Sequence, residues 1–128
     1  MSNDERVTTV AFDDEHVDAI LAGEKTTTIR YQFAHDLEPG DLLRFVDTMG
    51  VPFALAETVT QCELRADWVA AADFSGHRRY MTTADLLDAL AGYYPGAEIG
   101  PETPLDVVAF VVVHEINLTK WAVDDDVE

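Results

Sequence analysis

Gly23-Glu24-Lys25-Thr26-Thr27-Thr28-Ile29-Arg30 is the stretch on which the reading of this chain turns. It sets a lysine and an arginine on either side of three consecutive threonines, in a chain with 8 basic residues against 25 acidic ones. Just upstream, Asp13 and Asp14 supply a helix cap, and Val17, Ile20 and Leu21 recur at the i, i+3, i+4 spacing of an amphipathic helix. Gly23 stands where a helix C-terminus places its left-handed residue, so a short helix is expected to hand over directly to the segment. The β-branched run from Lys25 to Tyr31 then reads as a strand. A regular pleat puts Lys25, Thr27, Ile29 and Tyr31 on one face and Thr26, Thr28 and Arg30 on the other. An irregular entry after Gly23 is needed to bring Lys25 and Thr28 to the same side.

Working outward, Val7 to Phe12 alternates as a strand. Pro39-Gly40-Asp41 is a turn that opens a strand from Asp41 to Val46, and Met49-Gly50-Val51-Pro52 is a second turn leading into Phe53 to Leu64. Short strands joined by turns imply a small barrel. Ala66 to Phe74 is weakly helical. Thr82-Thr83-Ala84-Asp85 has the form of a capping box and opens a helix whose stripe is Leu86, Leu87, Leu90 and Tyr94, ended by Pro95-Gly96. The Val and Phe content of Leu105 to Ile116 reads as a buried central strand. The expectation is one α+β domain over residues 1–128, with its core at about 7–118 and an acidic tail at 121–128.

The formal charge of −17 over 128 residues, with a pI near 4.2, describes a strongly acidic surface. Few lysines, abundant carboxylates and normal aliphatic content read as adaptation to a high-salt cytoplasm, where acid–acid repulsion is screened. Cys62 is alone, which rules out an intramolecular disulfide and makes it an expected small buried residue. No signal-peptide layout and no apolar run of roughly 18 residues occurs, so a soluble cytoplasmic protein without membrane association is expected. His16, His35, His77 and His114 are scattered, and neither a metal box, a GxSxG elbow nor a phosphate loop is present, so no metal or cofactor is expected.

The order of a helix, GxKxxTxR, a Pro-Gly-Asp turn into a strand, a helix ending Tyr-Tyr-Pro-Gly and a Val-Val-Ala-Phe strand resembles the ASCH domain from about Phe12 to Val111. That resemblance implies a PUA-like β-barrel with flanking helices and a cleft for RNA or nucleotide ligands. Its ligand-binding residues would be Gly23, Lys25, Thr26, Thr28 and Arg30, with Arg78 or Arg79 closing the other side. Tyr31, Phe33, Trp68 or Tyr80 would be available to stack a base. The Ile-Leu-Ala-Gly before the lysine and the Thr-Ile-Arg after it are similar to the small N4-acetylcytidine amidohydrolases, in which the lysine, the threonine and a glutamate before the second helix are catalytic. Lys25 and Thr28 occupy the first two positions. Aligning through Met81-Thr82 puts Arg79 at the third, and no acid lies between Asp73 and Asp85.

The leading expectation is therefore an RNA- or modified nucleoside-binding protein with a basic cleft. The alternative is an amide hydrolase with Thr28 as nucleophile and Lys25 as base. Phosphate attraction weakens steeply with salt, which favours a small ligand or a single unpaired base over a long duplex footprint. Plainer readings stand beside these: a solubilised strand edge for Lys25 to Arg30, a solvated loop for His77-Arg78-Arg79, packing of a helix end for Tyr93-Tyr94, and core or edge cover for Trp68 and Trp121. A contiguous exposed apolar patch would instead mark a protein-binding module. The sequence carries no sign of oligomeric state.

Overall fold

The computed structural model describes residues 7–72, 74, 76, 77 and 80–116. Its strands fall on the alternating stretches of the sequence: β1 Thr8–Ala11, β2 Thr27–Arg30, β3 Leu42–Val46, β4 Pro52–Arg65 and β5 Pro104–Glu115. The helices are α1 Val17–Leu21, entered through a 3-10 turn at Asp14–His16, then α2 Ala66–Ala71 and α3 Thr83–Tyr93. The strands form one mixed sheet in the order β1-β3-β4-β5-β2. β1 runs parallel to β3, and the other pairs are antiparallel.

Curvature comes from the long strands. The β4–β5 register shifts between Leu55 and Ala56 and again between Thr58 and Thr60, and β3–β4 shifts between Phe45 and Val46. Each irregularity bends its strand and increases the local twist. The sheet therefore curls into half a barrel whose two edges are β1 and β2.

This curl creates two cores. Inside it, the Phe45 ring lies 4.8 Å from both Phe12 and Phe110 in edge-on contact, and Ile20 from α1 packs in the same cluster. On the other side, Val69 of α2 and Leu86 and Leu90 of α3 pack on Leu105 and Val107 of β5. α3 starts where its sequence says it should, because the Thr82 hydroxyl accepts from the Asp85 amide at 3.1 Å. Such a cap is worth about 1 kcal/mol.

Three expectations change. β5 is buried only over its first half: Val111 and Val113 are 47% and 52% exposed, because the α2–α3 layer covers Leu105 and Val107 and stops there. Cys62 is exposed rather than buried. β3 pairs with β4 only as far as Glu57, so the later residues of β4 have a strand neighbour on one side only. Trp68 is 57% exposed and belongs to neither core, since α2 turns Ala66, Val69 and Ala70 inward and leaves Trp68 outside with the Arg65 guanidinium 5.3 Å from its ring centre. Across the sheet Glu57 pairs with Leu42 on one side and Val111 on the other, setting a carboxylate between these two exposed apolar residues. Trp121 and the acidic tail lie outside the described residues. No helix among the described residues is long and apolar enough to cross a membrane.

Candidate functional site

The connection after α1 is irregular in the way that Lys25 requires. Gly23 takes φ +79°, and the Glu24 and Lys25 amides both turn back to the Ala19 carbonyl, at 2.9 and 3.1 Å. These bonds satisfy the Ala19 carbonyl, one of those a helix end leaves over, and they hold Lys25 outside the pleat. Pairing with β5 begins at the Thr26 carbonyl, which accepts from the Phe110 amide at 2.9 Å. Lys25 is thus freed from strand alternation, and it lines the same cleft as Thr28 and Arg30. Its ammonium donates to the Thr27 carbonyl at 2.9 Å.

The cleft, of about 690 Å³, lies along the seam between the two sheet edges. Arg30 spans that seam. From β2 its Nη2 donates to the Ala11 carbonyl of β1 at 2.7 Å, its Nε donates to Thr28 Oγ1 at 3.1 Å, and its guanidinium carbon sits 4.7 Å from the Phe12 ring centre. Burial pulls the guanidinium below its usual range, opposed in part by Tyr94, Asp13 and Tyr93. It remains charged at any accessible pH. Because Thr28 Oγ1 accepts from Arg30, the threonine proton is left to point elsewhere, and the hydroxyl of this buried residue, which lines the cleft, can donate to a ligand.

The loop after α2 forms the wall beside Lys25. The Gly76 carbonyl accepts from the Thr26 amide at 2.8 Å, and Gly76, His77 and Tyr80 all line the cleft. The end of α3 supplies Tyr93 and Tyr94. The Tyr93 hydroxyl donates to Glu15 Oε2 at 3.1 Å and lies 2.9 Å from His16 Nε2. Burial, the hydrogen bond to Glu15 and that carboxylate's charge together push the Tyr93 hydroxyl up to about 12, so it stays a neutral donor.

Of the residues expected from the sequence, the structure brings Lys25, Thr28 and Arg30 together around the cleft. Gly23 shapes the turn, and Thr26 anchors the neighbouring loop through its backbone; neither lines the cavity. Tyr31 turns to the second core, its ring 5.6 Å from Tyr94 and its amide donating to the Tyr94 hydroxyl at 3.2 Å. Of the stacking candidates only Tyr80 lines the cleft; Tyr31, Phe33 and Trp68 do not. Arg78 and Arg79 lie outside the described residues.

Among the described residues the lining of the cleft is mixed rather than basic. Asp13, Glu15 and Glu24 share the described lining with Lys25, Arg30, His16 and His77. These acids come from the β1–α1 turn and the α1–β2 connection, far in sequence from the position before α3 where alignment would place a glutamate. Folding brings Asp13 and Glu15 to the segment, whereas Glu24 precedes Lys25 in the chain. The Tyr-Tyr-Pro-Gly motif is the one sequence signal that points at this wall, and reading it as the packing of a helix end accounts for Tyr94 but misses the Tyr93 hydroxyl.

No family model matches the sequence, and no curated protein matches it. Among solved structures, a DUF984-family protein of Enterococcus faecalis superposes with a TM-score of 0.69 at 16% identity, over 88% of this chain and 80% of the other. An ASCH domain of Lactobacillus crispatus gives 0.60 at 19%, over 84% and 80%. The ASCH protein of Zymomonas mobilis gives 0.57 at 14%, over 90% and 76%. These likenesses are structural, and they give the chain the PUA-like α+β fold of ASCH domains.

Proposed function

We propose that this ASCH-type domain binds a single ribonucleoside, free or as an unpaired residue of RNA, in the cleft between its sheet edges. The observation that carries this reading is the convergence of Lys25, Thr28 and Arg30 with Phe12, Tyr80 and Tyr94 around one cavity of about 690 Å³. That volume suits a small ligand. The Thr28 hydroxyl and Lys25 ammonium offer donors to base oxygens, and the Tyr80 ring in the lining offers a surface to a planar base. The carboxylates in the lining argue against a phosphate-tracking groove for long RNA, as does the acidic surface.

Arg30 is tied to Ala11 and Thr28, so its removal damages the seam as well as the site; Lys25→Ala is the cleaner test. Titrating cytidine, uridine, adenosine and guanosine by calorimetry in 2 M KCl should show saturable binding of at least one. Lys25→Ala should weaken it about tenfold, the scale of losing a charged hydrogen bond. Equal affinity in wild type and variant would refute the assignment.

One observation favours a second reading, hydrolysis of an N4-acylated cytidine. Two carboxylates, Glu15 and Glu24, line the same cleft as Lys25 and Thr28, and either is a candidate for the glutamate missing by alignment. The Arg30 hydrogen bond to Thr28 Oγ1 also favours a developing alkoxide there. Incubation with N4-acetylcytidine in 2 M KCl should release acetate and cytidine from wild type and not from Thr28→Val. A wild type that releases neither is a binder only.

A further inference from the structure

Glu15 is an unusual neighbour for a nucleic-acid ligand, and its environment is built rather than incidental. It stands on the 3-10 turn between β1 and α1, with its side chain 66% exposed at the rim of the cleft. Tyr93 reaches over from the end of α3 to donate to Oε2 at 3.1 Å, and His16 Nε2 lies 3.6 Å from the same oxygen and 2.9 Å from the Tyr93 hydroxyl. With the tyrosine proton directed at Glu15, the phenol oxygen accepts from His16, and a chain of donors runs from imidazole to phenol to carboxylate. Oε1 makes no hydrogen bond among the described residues. The carboxylate is fixed by one oxygen and open at the other, and as an ion it accepts and cannot donate.

Such a group selects for donors. The deeper polar group of the cleft, the hydroxyl of the buried Thr28, is suited to a base edge, and Glu15 at the rim is suited to the part of the ligand that extends outward from the base. In a ribonucleoside that part is the sugar with its cis pair of hydroxyls, two adjacent O–H donors that one carboxylate can accept together. A phosphate at the same place would bring anion against anion, with Asp13 also in the lining. We infer that Glu15, oriented by Tyr93 and His16, is a ribose-selecting subsite that accepts hydrogen bonds from the 2′- and 3′-hydroxyls and so discriminates ribo- from 2′-deoxyribonucleosides. The inference deepens the nucleoside-binding reading and rests on it.

The test is a pair of titrations in 2 M KCl, each ribonucleoside against its 2′-deoxy counterpart, on wild type, Glu15→Ala, Tyr93→Phe and Lys25→Ala. Wild type should prefer the ribo form about tenfold, as expected for hydroxyls bonded to a charged acceptor. Glu15→Ala should bring the ratio close to one by weakening the ribo form alone; Glu15 is exposed, so the fold should tolerate the change. Tyr93→Phe leaves the carboxylate but releases it, and should reduce the ratio without abolishing it. Lys25→Ala should weaken both forms equally and keep the ratio. A ratio near one in wild type, or a preference that survives in Glu15→Ala, overturns the ribose subsite while leaving Lys25-dependent binding intact. A wild type that binds no nucleoside overturns the underlying reading and the subsite with it.

Discussion

Gly76→Ala should destabilise the protein by about 2–5 kcal/mol and abolish ligand binding in the cleft. A Cβ at this position would sit 2.8 Å from the Thr26 amide nitrogen and 2.9 Å from the Thr26 Cβ. Neither can yield cheaply, because Thr26 is held on both sides, its amide bonded to the Gly76 carbonyl and its carbonyl to the Phe110 amide. Gly76 also has φ +76°, where an L-residue costs roughly 1–2 kcal/mol, and forcing a methyl into a closed contact costs about 1–3 more. The strain falls where the cleft wall is fastened to β2, so His77 and Tyr80 should shift away from Lys25. Gly92→Ala is the control: it lies within α3 with nothing within 4 Å of its Cβ position, and the substitution should stabilise by about 0.5–1 kcal/mol. Urea unfolding of both variants measures the difference. A Gly76→Ala protein as stable as wild type would mean that the loop is not clamped as described.

The second large effect concerns salt. We propose that the −17 charge is an adaptation to molar salt. Raising KCl from 0.1 to 3 M shortens the screening length from about 10 Å to under about 3 Å, which removes most acid–acid repulsion across the surface. The melting temperature should rise by roughly 10 °C or more, on the order of 2–3 kcal/mol for a domain of this size. A melting temperature that stays constant over that range would make the acidity incidental. The same screening bears on the site. At molar salt the contribution of Lys25 comes from a direct hydrogen bond, since attraction at a distance is lost.

Features that depend on neighbours along the chain are legible in the sequence. The Thr82 cap and the Leu86–Leu90 stripe place α3, the Pro39-Gly40-Asp41 turn opens β3, and Gly23 ends α1 in the left-handed conformation its position implies. The family resemblance singles out Lys25, Thr28 and Arg30, and all three line the cleft. The relation between Lys25 and Thr28 is open in the sequence because it depends on whether the strand begins at residue 25 or 27. Two hydrogen bonds to the Ala19 carbonyl decide that, and a propensity argument does not see them.

Features that depend on residues distant in sequence are not legible in the same way. Cys62 has the character of an ordinary small core residue, yet it is exposed because β3 stops opposite Glu57. Arg30 reads as a free ligand-binding cation, and it is also the strut from β2 to the Ala11 carbonyl of β1. The cleft reads as basic because two of its acids, Asp13 and Glu15, arrive from the β1–α1 turn, and the third, Glu24, sits beside Lys25 at a position the family pattern does not mark. The mixed lining turns the reading from phosphate recognition toward a neutral nucleoside.

The central claim is that a ligand site lies at the seam of the half-barrel. A ribonucleoside titration of the 15N-labelled protein in 2 M KCl, followed by amide chemical shifts, tests it most directly. Saturable shifts should concentrate at Lys25, Thr28, Arg30, His77, Tyr80 and Tyr93, with Trp68, Val111 and Val113 unmoved. Shifts centred on Trp68 or on the exposed end of β5, with the seam residues silent, would contradict it.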